Sequence, residues 1–415
     1  GPEPLGPLML RAGDHRLTDT QGDFAYIYVG SPTAPGTYRV NVDVPGFGSW
    51  DSDLVTVVED VPLSITFFRT SLVVGHGLRT QNVRIHRTRT NVGQPLVIDL
   101  ASAAPGAVSV PAQVVIPAGA ENVTVPVTGL ALTAVPVAIT AQVQGSPTLT
   151  ATMAVTVVSP AIGFRNLREQ RSVASERDAF SVLWFVPGSN EHPQVGQADT
   201  TVTLNIIDSP NGIITALYAA SSGGTTRNTL VIREGQSEST TTNGELDQLF
   251  IGSPTITGNY NVYAHVVGLN SSESPRVTVS TPTLLFTRSI HEVGLGLQAS
   301  GVSLRRTISA FGGVEPAAED LIINLSCAAG SVCQVPATVT LPAGQTELVI
   351  PISGVGLGSS RLTAAAPGYA PGSQPDVDVR VVRPRLRLAG VPELLRVGQS
   401  AMVLALMDVP TSTEP

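Results

Sequence analysis

The chain has no lysine; all 24 basic side chains are arginine. A Schiff-base amine, a phosphate-loop lysine and a lysine–asparagine crosslink are therefore excluded. Charged residues of either sign make up 13% of the 415 positions, about half the usual share. Aromatic residues make up 5% and cysteines number 2. No apolar run approaches the length of a membrane-spanning helix, so no membrane insertion is expected. A net charge of −8 argues against a nucleic-acid partner and an anionic membrane surface.

What is present is β-forming. Hydrophobic residues reach 42%, alongside 40 Gly and 32 Pro, and Val and Thr are abundant. A disordered chain would be highly charged and poor in β-branched residues. Tyr38, Val40, Val42 and Val44 alternate with polar neighbours, the period of a half-buried strand, before a turn at Pro45-Gly46-Phe47. The same ending recurs at Ala138–Val143, Tyr260–Val266 and Arg361–Ala366. A second unit is strand, Pro-Ala-Gly turn, strand, as at Pro117-Ala118-Gly119 and Pro342-Ala343-Gly344. The charged stretch 166–178 has no helical stripe.

These units repeat over long distances. Leu8–Gly13 matches Leu230–Gly235, and Gly36–Val40 matches Gly258–Val262, 222 positions apart. Val110-Pro111-Ala112 and Val125–Gly129 recur 225 positions on, at Val335-Pro336-Ala337 and Ile350–Gly354. Repetition at this scale signals an array of modules. Two types emerge. Type B covers 61–160 and 283–384, and type A is complete at 161–282. Residues 1–60 match the C-terminal part of type A, and 385–415 match its first strands, Val403–Pro410 aligning with Phe180–Pro187. Modules of about this size with closely spaced turns fit an immunoglobulin-like sandwich.

The Pro-Ala-x-Val-x-[Ile/Leu]-Pro-Ala-Gly hairpin and the Ala-Ala-Pro-Gly-Tyr ending resemble the Ig-like tandem repeats of large secreted bacterial surface and fibre proteins. The resemblance implies a stalk, spacer, adhesive or matrix role and carries no catalytic residue. The expected fold is all-β: a tandem array of immunoglobulin-like β-sandwich domains forming an extended rod. Short Pro-bearing linkers, Val157–Pro160 and Val381–Pro384, favour stiffness. The split type A module has two readings: a piece of a longer array, or a head and tail that complete each other between copies and so self-associate head to tail.

Candidate sites are few. Cys327 and Cys333 stand where the sister repeat has Ser102 and Val108; a disulfide across a tight loop is expected, with two buried thiols as the alternative. A disulfide implies an oxidising compartment, and hence an extracellular or cell-surface location. Trp50, beside Phe47 on a Gly-rich loop, is a candidate ligand-contact aromatic, with a core or inter-module role as the alternative. His15, His76, His86, His192, His265 and His291 show no metal-ligand spacing, and His76 and His291 exchange with Leu295 and Leu72 between repeats. Asp51/Asp53 and Asp376/Asp378 lack the acidic loop of a dedicated calcium site. Gly75-His76-Gly77, Gly294-Leu295-Gly296 and Gly354–Gly358 lead into strands rather than helices, so they read as bulges or turns, not a dinucleotide loop. Asn122, Asn270 and Asn324 fit the N-glycosylation pattern. No nucleophile–base pair is visible, so no enzyme and no cofactor are expected. The leading expectation is a structural protein of a bacterial fibre, stalk or surface layer. An adhesive or carbohydrate-binding array, or a spacer of a larger secreted protein, are the alternatives.

Overall fold

The computed structural model describes residues 36–409 apart from 45, 58–62, 89–93, 191–192, 208–211, 215 and 310–312. The repeat segment Leu8–Gly13, His15 and His192 lie outside the described residues. Among those described, every regular element is a β-strand. The protein is an all-β array of immunoglobulin-like sandwiches. Their apolar clusters are separate: one from Ile65 to Val157, one from Ile162 to Val279 that also takes in Leu78, and one from Leu284 to Val381.

Alternation builds each core. Thr150–Val158 buries Met153, Val155 and Val157 and turns the residues between them outward. In the first B sandwich this strand lies between Val137–Val143 and Ser71–Gly75, and it pairs with the latter in parallel. The facing sheet is centred on Leu78–Arg87 and Asn122–Gly129. The second B sandwich repeats the arrangement, with Ile290–Gly294 parallel to Asp376–Val382. Type A packs Ala161–Arg165 and Asp178–Phe185 over a sheet in which Thr200–Ile207 lies between Gly258–His265 and Thr229–Ile232.

The Pro-Ala-Gly turns close by Ala120 N donating to Pro117 O and Gln345 N to Pro342 O, each 3.1 Å. Gly119 and Gly344 sit at φ +79, a left-handed conformation that disfavours a Cβ. Pro126 and Pro351 interrupt their ladders at register shifts, where no strand N–H is required. The Gly-rich segments are more than turns. A Cβ on Gly129 would meet Gly75 O at 2.7 Å, and one on Gly354 would meet Gly294 O at 2.6 Å. These glycines let two backbones touch at the end of each B sandwich, a close approach that turn chemistry alone does not reveal.

The two partial stretches adopt the registers of the intact A sandwich. Gly36, Thr37 and Tyr38 pair with Val57, Thr56 and Val55, as Gly258, Asn259 and Tyr260 pair with Val279, Thr278 and Val277. Arg385–Ala389 pairs antiparallel with Leu404–Asp408, matching Ala161–Arg165 on Asp178–Phe185. Both stretches expose residues whose counterparts are buried. Val42 is 47% exposed against 1% for Ala264, and Leu386 77% against 5% for Ile162.

Candidate functional site

The most elaborate chemistry lies where type A meets the second B sandwich. The charged stretch that forms no helix supplies half of it. Gln170–Ser172 is a short strand held parallel to Val277–Ser280, and it carries Arg171 inward at 0% exposure. Arg171 Nη1 donates to Gly252 O at 3.0 Å and to Tyr260 Oη at 3.4 Å. Its Nη2 donates to Ser175 Oγ at 3.3 Å and to Glu176 O. Ala174 follows at φ +56, an uncommon conformation for a residue with a Cβ. Its N–H is fixed by Pro254 O at 2.8 Å.

The other half comes from the loop that follows Gln298–Thr307. Glu315, 1% exposed, crosses the boundary, and its Oε2 accepts from Ser172 N at 2.9 Å and Ser172 Oγ at 2.6 Å. Arg306, 0% exposed, donates to Glu315 O at 2.6 Å, to Val173 O of type A at 2.9 Å and to Tyr369 Oη at 2.9 Å. Main chain joins main chain as well: Ala318 N donates to Ala174 O at 2.9 Å and Glu176 N to Pro316 O at 3.3 Å. Arg171 Nε and Glu315 Oε1 face each other at 3.9 Å, inside ion-pair range but too far for a hydrogen bond, and neither atom has a hydrogen-bond partner. Asp178 completes the cluster, accepting from Arg168 N at 3.1 Å. Burial pushes its carboxyl above the usual range, and the Arg168 hydrogen bond and the Arg171 and Arg168 charges oppose that shift.

Chemically, this is a closed lock. Ser172 is fully buried, and both its N–H and its hydroxyl are committed to the Glu315 carboxylate. Each buried charge meets an opposite charge or a ring of carbonyls, as burial demands.

The junction between the first B sandwich and type A uses neutral groups. Gln194, 1% exposed, accepts from Gly75 N and donates to Val73 O, both at 2.9 Å. Val195 and Gly196 then extend the B sheet by pairing with Arg79 and Leu78. Leu78 is buried in the type A core beside Trp184. A Cβ on Gly196 would meet Trp184 Nε1 at 3.1 Å, so this strand too depends on a bare backbone.

The residues singled out in the sequence are scattered. Cys327 and Cys333 are bonded to each other, with Cα atoms 6.1 Å apart. Trp50 is 55% exposed on Gly48–Asp51, opposite Val42, and Phe47 is 80% exposed. His291 is buried on the strand parallel to the closing strand, and burial lowers its pKa first, helped by Arg288 and opposed by Glu292. Asp376 and Asp378 face Arg361 at 3.5 Å and Arg380 at 3.2 Å. Among the described residues no three His, Cys, Asp or Glu side chains cluster to hold a metal. Asn122, Asn270 and Asn324 are exposed, the first and last within strands.

Sequence reasoning missed Glu315 and the three arginines around it. One signal was available. Eight residues separate Arg87 from Leu96 in the first B repeat, and fourteen separate Arg306 from Leu321 in the second. The longer loop replaces Gln94-Pro95 with Glu315-Pro316, and Arg87 Nη1 donates to Gln94 O as Arg306 Nη1 donates to Glu315 O.

No protein-family model matches the chain, and no curated protein does. Solved structures that align with it include surface layer protein SbsC domains 4–9, at 15% identity over 92% of this chain and 60% of that one, TM-score 0.27. The D0–D1 domain of intimin aligns at 18% identity over 52% and 98%, TM-score 0.20. The Yersinia pseudotuberculosis adhesin InvE aligns at 13% over 53% and 60%, TM-score 0.22. Likeness at this level bears on neither activity nor partner.

Proposed function

We propose that the chain is a non-enzymatic structural repeat of a bacterial extracellular fibre, stalk or surface layer, whose sandwiches are locked at fixed angles. The observation that carries this reading is the buried Arg171–Glu315–Arg306 junction together with Gln194 and Leu78 at the other boundary. Relative domain motion is the default in modular chains unless an interface is well buried. Two buried interfaces in succession suit an element that holds distance and direction. The Cys327–Cys333 bond suits an oxidising exterior. Single-particle imaging of the purified chain tests this: one narrow distribution of angles at each boundary is expected. A broad distribution at the type A–second B boundary would reject the reading.

A second reading, assembly of copies head to tail, is favoured by the matching registers and the exposed apolar faces at 36–57 and 385–408. A concentration series in the electron microscope decides it. Filaments that vanish when residues 385–415 are removed support it, and isolated rods at every concentration refute it. In the alternative adhesive role, Trp50 and Phe47 are the aromatics a ligand would meet. A glycan array probed with the chain and with Trp50→Ala tests that.

A further inference from the structure

We infer that the end face of type A built from Ser172, Val173 and Ala174 selects which kind of B sandwich follows it: it fits the second B and not the first. This rests on the locked-array reading and deepens it, because the order of the modules is then written into the boundary.

The selection turns on one arginine used in two ways. Arg87 and Arg306 occupy the same place, their N–H groups donating at 2.9 Å to Glu121 O and Thr346 O, and they are 2% and 0% exposed. A guanidinium can only donate, so the oxygens around it set its pose. Arg87 spends its guanidinium inside its own sandwich: Nε on Ala120 O at 2.9 Å, Nη1 on Gln94 O at 2.8 Å and Nη2 on Pro117 O at 3.1 Å. Arg306 Nε goes to Tyr369 Oη, and its Nη2 leaves the sandwich for Val173 O, both at 2.9 Å. Tyr369 stands where the first B has Ser146, since Tyr369 N donates to Ala366 O as Ser146 N donates to Val143 O. A serine side chain is too short to hold the arginine in that second pose.

Four inserted residues complete the difference. In the first B, Pro95 leads directly into Leu96; in the second, Ala317-Ala318-Glu319-Asp320 stand between Pro316 and Leu321. The insert lays a strap along type A, with Ala317 opposite Ser175 and Ala318 N donating to Ala174 O at 2.9 Å. The Pro-Ala-Gly turn that accepts from Arg87 in the first B here donates to the strap. Gly344 N donates to Ala317 O at 3.0 Å and Ala343 N to Asp320 Oδ1 at 2.8 Å. Just ahead of the strap, Glu315 brings the carboxylate that accepts from Ser172 N and Oγ, and Gln94 holds that place in the first B.

A first B set behind type A would therefore bring no carboxylate to Ser172, no guanidinium to Val173 O and no strap N–H to Ala174 O. Polar groups buried without partners reject a wrong neighbour more sharply than an apolar mismatch does.

The test exchanges modules within the full chain. In one variant the sequence of residues 61–160 replaces 283–384, so a first B follows type A. A second variant is the same chain with residues 315–320 in place of the transplanted Gln94-Pro95, together with Ser146→Tyr in the transplant. A third keeps the native second B but carries Glu315→Gln, Tyr369→Ser and a deletion of residues 317–320. The third keeps the native core, so the result does not hang on the transplant folding. Docking is read from amide exchange at Ser172 and Glu176, whose N–H groups are bonded across the boundary to Glu315 Oε2 and Pro316 O. Exchange there is expected to be faster by about tenfold or more in the first and third variants, with protection regained in the second. Native-level protection in the first or third, or none regained in the second, overturns the inference and leaves the locked array standing. Fast exchange at Ser172 in the native chain would sink the locked array and the inference with it.

Discussion

Replacing Glu315 with Gln removes one charge from the type A–second B boundary and nearly preserves shape. The amide oxygen can still accept from Ser172, so the loss is electrostatic. Arg171 and Arg306 each lie 3.9 Å from the carboxylate, both 0% exposed. Each pair is worth roughly 4 kcal/mol before desolvation at an effective dielectric of about 20. Removing one member of a buried pair costs about 3–5 kcal/mol, because the other charge stays buried. With Ser172 still satisfied, about 3 kcal/mol is expected. For a coupled unit of this size that lowers the midpoint of the A–second B transition by roughly 6–12 °C. Differential scanning calorimetry of the full chain reads it, with the first B sandwich as an internal reference. A shift under about 2 °C, or an equal shift of every transition, would refute the reasoning. Gln94→Glu in the first B repeat is expected to add no stability there.

Three further outcomes follow. His291 has its pKa lowered by burial, so its native form binds fewer protons than its unfolded form. Stability from this group is present above the unfolded value of 6.5 and is lost as pH falls through the folded value. His291→Leu, the residue at Leu72 in the first B sandwich, is expected to remove that dependence in urea melts between pH 7 and 4.5. Reducing Cys327–Cys333, a short loop, is expected to destabilise the second B sandwich by about 2 kcal/mol and leave the first unchanged on heating with and without dithiothreitol. Gly354→Ala must displace Gly294 O, 2.6 Å from the new Cβ, and is expected to cost about 1–3 kcal/mol in chemical unfolding.

The strands and turns were legible because period-two burial and Pro-Ala-Gly chemistry are local. Met153, Val155 and Val157 announce their own face, and Gly119 needs only its neighbours to adopt φ +79. Equivalence between repeats was legible for the same reason, and the paired registers at 36–57 and 258–279 follow it. The junction was not legible. Ser172 and Glu315 meet across 143 positions, and the charges at 168–178 look like a failed helix until their partners are present. Gly75, Gly294 and Gly354 were read as bulges or turns, but each sits where two distant backbones touch, Gly75 against Gly129 and Gly294 against Gly354.

In each sandwich the second strand runs parallel to the last, and this bears on how the array carries load. Ser71–Gly75 and Ile290–Gly294 each meet the closing strand over five residue pairs, while Gln170–Ser172 meets its partner over three. A pull along the chain drags that second strand one way and the last strand the other. The bonds between them are sheared together instead of being unzipped one at a time. Modules in series carry the same tension, so the three-pair clamp of type A, the segment that also carries Arg171 and Ser172, is expected to yield first. The element that binds the array together is the one that sets its breaking force.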